Sequence, residues 1–478
     1  MLGDSLIERM DAYRVLLLWQ KEGTFIKESG LSPFSMELAL GVCRRHLYLQ
    51  YFIKSLVKKK PSLEVCTILE MGLFQMFFME VPDHAAVSTS VELSKAANLQ
   101  EGSARLVNAV LHAARRSGLP QLPPQRVRRV SVENSVPESL VRRWFDIYGA
   151  DRAEALAKAT LKRPSEWLRV NLQKTTVESL VTKLFVTLEG CNPDRVQEAL
   201  ASESSKRSDL MPQSAEGATS YLYDRYIQVP EGVKLKPILE SESFANGEFS
   251  LQNPAAYEVV KLLDLKPGQK VWDACAAPGG KSALMAEMEP SLDILASDVS
   301  EFRVEKMQDL LDRLGLVNVH LECIDALSPQ LPVTLEEQLS DRVQEALASE
   351  SSKRSDLIPQ STEGATSSLF DRILLDVPCS NMGVIARRPE SKYRITPESV
   401  KELAELQSRL LASASQVLKV GGVLVYATCS PDPMETTQVV NRFIKEHPDF
   451  EKSGEPVYPG AEDSRFDGFF AQALRRKG

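Results

Sequence analysis

No C-x-x-C pair occurs in the 478 residues, and the seven cysteines are odd in number and scattered. Neither a disulfide framework nor a zinc cluster is therefore indicated. Histidine is scarce: His46, His84, His112, His320 and His447 lack ligand spacing, read as caps or core residues, and no metal is expected. Long apolar runs are missing too. The longest, "ILEMGLFQMFFMEV" from Ile68, has 14 residues and is interrupted by Glu70 and Gln75, too short to cross a bilayer, so no membrane partner is expected. Asp4, Glu8 and Asp11 stand where a secretory signal would be cationic, so the expected location is cytoplasmic. Two phosphate-cradling patterns are absent as well. Without G-x-x-x-x-G-K-[ST] no nucleoside triphosphate is implied, and without G-x-G-x-x-G a nicotinamide cofactor is disfavoured.

The length allows two or three domains, and 43% hydrophobic residues suffice to give each a core. The net charge of −8 argues against a nucleic-acid partner until its distribution is considered. Residues 1–130 hold 17 Lys and Arg against 12 Asp and Glu, with "VKKKP" at Val57 and "QRVRRV" at Gln125. The N-terminal part is thus basic and the acid lies elsewhere.

Part of that acid sits in a duplication. Asp194 to Arg225 recurs as Asp341 to Arg372, and only four of the 32 positions differ. Solenoid repeats stack as neighbours and occur at least three times, whereas these copies stand 147 residues apart. Each is rich in Ser, Ala and Glu and can bury little, so each is expected to be a mobile surface excursion of no functional consequence. Without the second copy, 19 residues separate Asp325 from Asp376, a length suited to a helical crossover between adjacent parallel strands.

From Gln252 onward apolar strands alternate with helical stretches. "QKVWDACAAPGGKSALMAEM" runs from strand to Gly/Ala/Pro turn to helix, "LDILASDVS" ends in Asp298, and "VHLECIDAL" ends in Asp325. "FDRILLDVPCS" ends in Asp376 and "GGVLVYATCS" near Cys429. Five strands with polar residues at their carboxyl ends describe a doubly wound α/β sheet that binds ligands along one edge. Gly279 and Gly280 let the backbone approach a ligand at a helix N-terminus. Asp298, 19 residues after Gly279, is placed to hold two ribose hydroxyls, and Asp325 to accept from an adenine amino group. S-adenosylmethionine, an adenosine carrying a cation in place of a pyrophosphate, fits this arrangement.

"DACAAPGGKS", "DVPCS" and "YATCSPDPMET" resemble the motifs of the RNA cytosine-C5 methyltransferases, and "DGFFAQALRRKG" resembles that family's C-terminal strand pair. "LALGVCRRHLYLQYFIKSL", "ILEMGLFQMFFMEVPDHAAVSTSVELSKAA" and "SARLVNAVLHAARR" are similar to the NusB-type helical RNA-binding domain that precedes the methyltransferase in the RsmB (Sun/Fmu) family. "RPSEWLRVNLQKTT" resembles the start of the small RNA-recognition-like subdomain between them. The resemblance implies three parts: an all-α NusB-like domain over 1–130, linker helices and a small α+β subdomain over 131–243 containing the first copy (194–225), and a Rossmann-like class I methyltransferase domain over 244–478 containing the second (341–372).

The resemblance also implies roles. Cytosine C5 is a poor nucleophile until a thiolate adds at C6, after which C5 takes a methyl group and must lose its proton. Cys429 would attack, with a thiol activated by a depressed pKa. Cys379 would assist release. Asp376 would hydrogen-bond at N3, and the Pro378 carbonyl would accept from the exocyclic amino group. Cys275, Ala276, Ala277, Pro278, Gly279, Gly280 and Lys281, with Asp298, Arg303, Asp325 and Asp376, would hold S-adenosylmethionine. The expected partner is small-subunit (16S) ribosomal RNA, acted on by a monomer. The same reaction on transfer RNA or another RNA, and a catalytically silent RNA-binding or ribosome-assembly protein, stay open. This chain departs from the family at Asn381 and Met382 and at Arg388 and Tyr393, positions expected to touch substrate placement.

Overall fold

The computed structural model describes residues 4–79, 81–184, 222–230, 233, 235–329, 370–460 and 466–478. The chain divides into two compact units, Met1–Pro164 with Ser380–Lys401, and Ser165–Cys379 with Glu402–Gly478.

The first unit is helical: α1 (Asp4–Glu22), α2 (Pro33–Leu56), α3 (Leu63–Phe78), α4 (Asp83–Ala96), α5 (Ser103–Ser117), α6 (Arg126–Asn134), α7 (Glu138–Tyr148) and α8 (Ala150–Ala159). Local chemistry sets the starts. Ser32 caps α2 by accepting from the Ser35 N–H, with Pro33 in the first turn, and Ser62 caps α3 through the Val65 N–H. α3 is the central helix, buried without a break from Val65 to Gln75. Its two polar interruptions are satisfied. Glu70 accepts from His46 Nδ1 (2.9 Å) and Gln50 Nε2 (3.0 Å), and Gln75 accepts from Arg9 Nε (2.8 Å).

Ser380–Lys401 completes this unit from far along the chain. Tyr393 is held between Trp19 and His46, its hydroxyl donating to the Cys43 carbonyl (2.9 Å), and Lys392 Nζ donates to the Arg44 carbonyl (2.9 Å). Asn381 takes a left-handed conformation (φ 61°), which Asn tolerates, and Met382 Sδ accepts from Trp144 Nε1 (3.5 Å). Arg388 lies over the Phe25 ring. Of the four departures, Met382 and Tyr393 pack against the helices, while Arg388 is exposed.

The second unit contains two sheets. The smaller is antiparallel, ordered β2-β3-β1-β4, with β1 Trp167–Val170, β2 Leu222–Tyr223, β3 Tyr226–Gln228 and β4 Phe249–Leu251. Its core includes Leu168, Val170, Leu180, Ile227 and Phe249. The larger has β5 Lys270–Asp273, β6 Asp293–Asp298, β7 Val319–Cys323, β8 Phe370–Asp376, β9 Leu418–Thr428, β10 Phe450–Lys452 and β11 Phe470–Arg476. Its order is β10-β11-β9-β8-β5-β6-β7, with β5 to β9 parallel and β10 and β11 antiparallel. Helices α9 (Gly280–Met288), α10 (Glu301–Leu314), α11 (Pro397–Ser415) and α12 (Thr437–Glu446) accompany it.

Three expectations need correction. β7 and β8 are not adjacent: β8 pairs with β5, so the connection between them passes two strands. The sheet reverses direction there, which opens the crevice beside β5 and β8. β7 ends at Cys323, leaving Asp325 in the turn that follows. Most of each duplicated segment lies outside the described residues, but the last residues of both copies are not a surface excursion. Leu222 and Tyr223 form β2, and Phe370, Asp371 and Arg372 begin β8, with Phe370 and Arg372 buried. Among the described residues no helix is long and apolar enough to cross a membrane.

Candidate active site

The carboxyl ends of the parallel strands gather the polar residues. Register pairs Asp273 with Ala296 and with Leu374, Asp298 with Cys323, and Asp376 with Ala427, so these ends form one edge. After β5 the chain turns sharply. The Ala276 N–H donates to the Ser297 carbonyl (2.8 Å), and the Gly279 N–H to that of Ala276 (2.7 Å). Gly279 then caps α9 at φ 89°, where a Cβ would lie 3.2 Å from Met307 Cγ. Glycine meets both demands.

Cys275 to Lys281 wrap the start of α9, with Ala276 and Gly279 buried and Pro278 exposed. Asp298 is buried at the end of β6 and accepts from the Ser300 N–H (3.0 Å), while exposed Arg303 lies 3.7 Å from its other oxygen. Asp325 is exposed and accepts from the Leu327 N–H (2.9 Å). Exposed Val299 and Phe302 follow Asp298 and offer apolar surface that a planar base could cover.

Lys281 turns to the other side. Its Nζ donates to Asp376 Oδ2 (2.5 Å) and sits 4.9 Å from the centre of the Phe469 ring. Burial opposes its charge, but the Asp376 carboxylate, with Asp273 behind, outweighs that and holds its pKa above the ordinary lysine value. Three residues beyond Asp376 and two beyond Ala427, the sulfurs of Cys379 and Cys429 lie 2.7 Å apart. Nucleophile candidate, release candidate, carboxylate and lysine thus converge.

The Cys429 thiol is not held below its ordinary pKa. The hydrogen bond with Cys379, burial and the Asp376 carboxylate push it well up, and Lys281 only partly offsets them.

Three further residues support this site: Asp273, which opens the quoted DACAAPGGKS motif without a role assigned to it, and Arg169 and Gln407, which had no sequence signal. Asp273 is fully buried, accepts from Ser282 Oγ (2.7 Å), and burial pushes its acid up to about 7. Arg169 in β1 donates to the Gly280 carbonyl (2.7 Å), to Gln252 Oε1 (2.7 Å) and to Glu287 Oε1 (2.6 Å), bracing both ends of α9 from within the core. Gln407 in α11 donates to the Pro378 carbonyl (3.0 Å). An apolar strand or helix face carrying one Arg or Gln gives no indication of which distant loop it will support.

Family comparison matches 16S rRNA methyltransferase RsmB/F to residues 260–467, the NusB family to 16–116, and the RsmF/B-like ferredoxin-like domain to 136–200. A probable ribosomal RNA small subunit methyltransferase B of Bacillus subtilis (strain 168) is 33% identical, covering 99% of this chain and 96% of its own. Ribosomal RNA small subunit methyltransferase B of Salmonella arizonae is 29% identical, over 92% of this chain and 90% of its own. Among solved structures, that of PH0851 is 20% identical and covers 100% of both chains at a TM-score of 0.67, a likeness of fold. A methyltransferase homolog protein from Pyrococcus horikoshii is 25% identical, over 75% of this chain and 100% of its own, with a TM-score of 0.50.

Proposed function

Because the chain belongs to the RsmB/F family of 16S rRNA methyltransferases, we propose that it methylates C5 of a cytosine in small-subunit ribosomal RNA, with S-adenosylmethionine as donor, through a covalent adduct on Cys429. The observation that carries this reading is the contact of Cys379 and Cys429 at the sheet edge that holds the glycine turn and the Lys281–Asp376 pair. Addition and elimination at a pyrimidine needs a nucleophile and a second group that helps elimination, and two adjacent thiols can supply both.

The cofactor fits the residues present. Cys275 to Lys281 offer backbone without a side-chain obstacle at Gly279, buried Asp298 offers a carboxylate for a ribose diol, and Val299 and Phe302 offer apolar surface. S-adenosylmethionine supplies, when bound, an electrophilic methyl group.

The chain's own residues do the remaining work. Asp376 bonds the ring at N3, and the proton of the Cys429 thiol passes through Asp376 to N3 as sulfur adds to C6. Lys281, paired with Asp376, favours the departing proton, since its charge stabilises a thiolate at Cys429. The ring carbon C5 is now nucleophilic and takes the methyl group. Cys379, having first released its own proton to solvent, accepts the C5 proton; the C6–S bond breaks with its electron pair returning to the Cys429 sulfur, and the N3 proton passes back through Asp376 to that thiolate. The Pro378 carbonyl accepts from the exocyclic amino group, which uracil lacks, so cytosine is preferred.

The test is methyl transfer from labelled S-adenosylmethionine to small-subunit ribosomal RNA stripped of its modifications, followed by nucleoside analysis. All label is expected in 5-methylcytidine. Label in another nucleoside, or only in transfer RNA offered alongside, contradicts the proposal.

A further inference from the structure

Behind the two sulfurs runs a chain of buried polar groups that the scheme above does not use. Gln407, fully buried in α11, donates from Nε2 to the Pro378 carbonyl (3.0 Å) and to Glu435 Oε1 (3.1 Å). Glu435, also fully buried, accepts at Oε2 from Ser430 Oγ (2.6 Å), and Ser430 Oγ accepts from the Asp432 N–H (3.2 Å). The Tyr426 hydroxyl donates to the Glu435 carbonyl (2.6 Å), with Gln407 Oε1 3.2 Å away. Pro378 immediately precedes Cys379, and Ser430 immediately follows Cys429. The chain therefore joins the two cysteine loops without passing through either sulfur.

A leucine-like core would fill this space with less desolvation. What satisfied buried hydrogen bonds add is a single geometry. Here that geometry concerns two thiols that must act on opposite steps at adjacent ring carbons, and a carbonyl that must face the base. A carbonyl oxygen has two lone pairs, so the bond from Gln407 orients the Pro378 carbonyl and leaves the second for a substrate donor.

We propose that Gln407 is a positioning residue of the reaction, fixing the separation of Cys379 and Cys429 through Pro378 and Glu435 and aiming the Pro378 carbonyl at the exocyclic amino group of the target cytosine. The role in catalysis rests on the reading that Cys429 attacks and Cys379 releases; the role in setting the thiol pair does not. Gln407 touches neither substrate nor cofactor, so its loss affects turnover and leaves S-adenosylmethionine binding alone.

The test uses the full chain with Gln407→Met, which keeps the length and removes the donors, and Ser430→Ala, which cuts the same tie at its other end. Dibromobimane, a reagent that fluoresces when it bridges two close thiols, reports the pair without RNA, and mass spectrometry identifies the bridged peptides. Wild type is expected to bridge Cys379 to Cys429. Both variants are expected to bridge about tenfold more slowly or worse, with a matching loss of kcat and an S-adenosylmethionine Kd within about twofold of wild type. Bridging and turnover at the wild-type rate in a folded variant would overturn the proposal. So would losses of kcat and cofactor affinity that merely follow the unfolded fraction. If Gln407→Met does not fold, Ser430→Ala decides. A wild type that bridges but does not methylate cytosine contradicts the proposed function and leaves the positioning role to be judged by bridging.

Discussion

Gly279 stands at φ 89° against Met307, so Gly279→Ala adds both left-handed strain and a contact tighter than a Cβ normally makes. The strain alone is worth about 1–2 kcal/mol, and affinity for S-adenosylmethionine, measured by calorimetry, is expected to fall about tenfold. Asp273 behaves differently. Its folded acid titrates near 7 against an ordinary 3.8, so the folded state keeps a proton that the unfolded chain gives up. Its favourable contribution is complete below the unfolded value and is lost as pH rises toward 7, with nothing further to lose above it. Asp273→Asn should therefore flatten the fall in urea midpoint between pH 4 and pH 7, whereas an unchanged fall would place the titration elsewhere. At this scale the motif residues were legible because each strand end and its turn are contiguous in the chain. The Cys429 pKa was not, since the groups that raise it, Cys379 and Asp376, arrive from another strand.

Among elements, the brace from β1 to α9 is the clearest case of a partner hidden from the sequence. Arg169 and Glu287 form an ion pair of 2.6 Å with both side chains buried, and 118 residues separate them. Arg169→Met leaves the Glu287 side chain in the core without its partner, at a cost of about 3–5 kcal/mol that chemical denaturation would register. A loss under 1 kcal/mol would mean that water reaches Glu287. The duplicated segments carry a second element-scale prediction. Deleting residues 194–220 should leave the melting temperature and methyl transfer near wild type. Extending the deletion through Arg225 removes β2 and the carbonyl that accepts from the Val170 N–H (2.8 Å), and should lower both. Equal behaviour of the two deletions would contradict a structural role for β2. Apolar alternation revealed all five parallel strands. It could not reveal that β8 sits beside β5, because strand order depends on how crossovers pack and not on the strands themselves.

For the molecule as a whole, the helical unit is built from two stretches of chain that no motif joins. Tyr393 lies 350 residues from Cys43, whose carbonyl it bonds, and is half-buried against Trp19 and His46. Tyr393→Ala is expected to destabilise the protein by about 3–5 kcal/mol, read as a shift in the unfolding midpoint, and a shift near zero would show that this segment does not contribute to the unit. The three-part family order was legible because it rests on motifs, while this closure rests on side chains that no motif includes. On the proposed function, what the whole protein does turns on the two cysteines. The most direct measurement incubates wild type, Cys429→Ala and Cys379→Ala with unmodified small-subunit ribosomal RNA and labelled S-adenosylmethionine, then runs each on a denaturing gel. The account predicts that Cys429→Ala neither methylates nor forms an adduct and that Cys379→Ala accumulates a covalent protein–RNA complex. Methylation by Cys429→Ala, or an adduct that persists without it, would contradict the account.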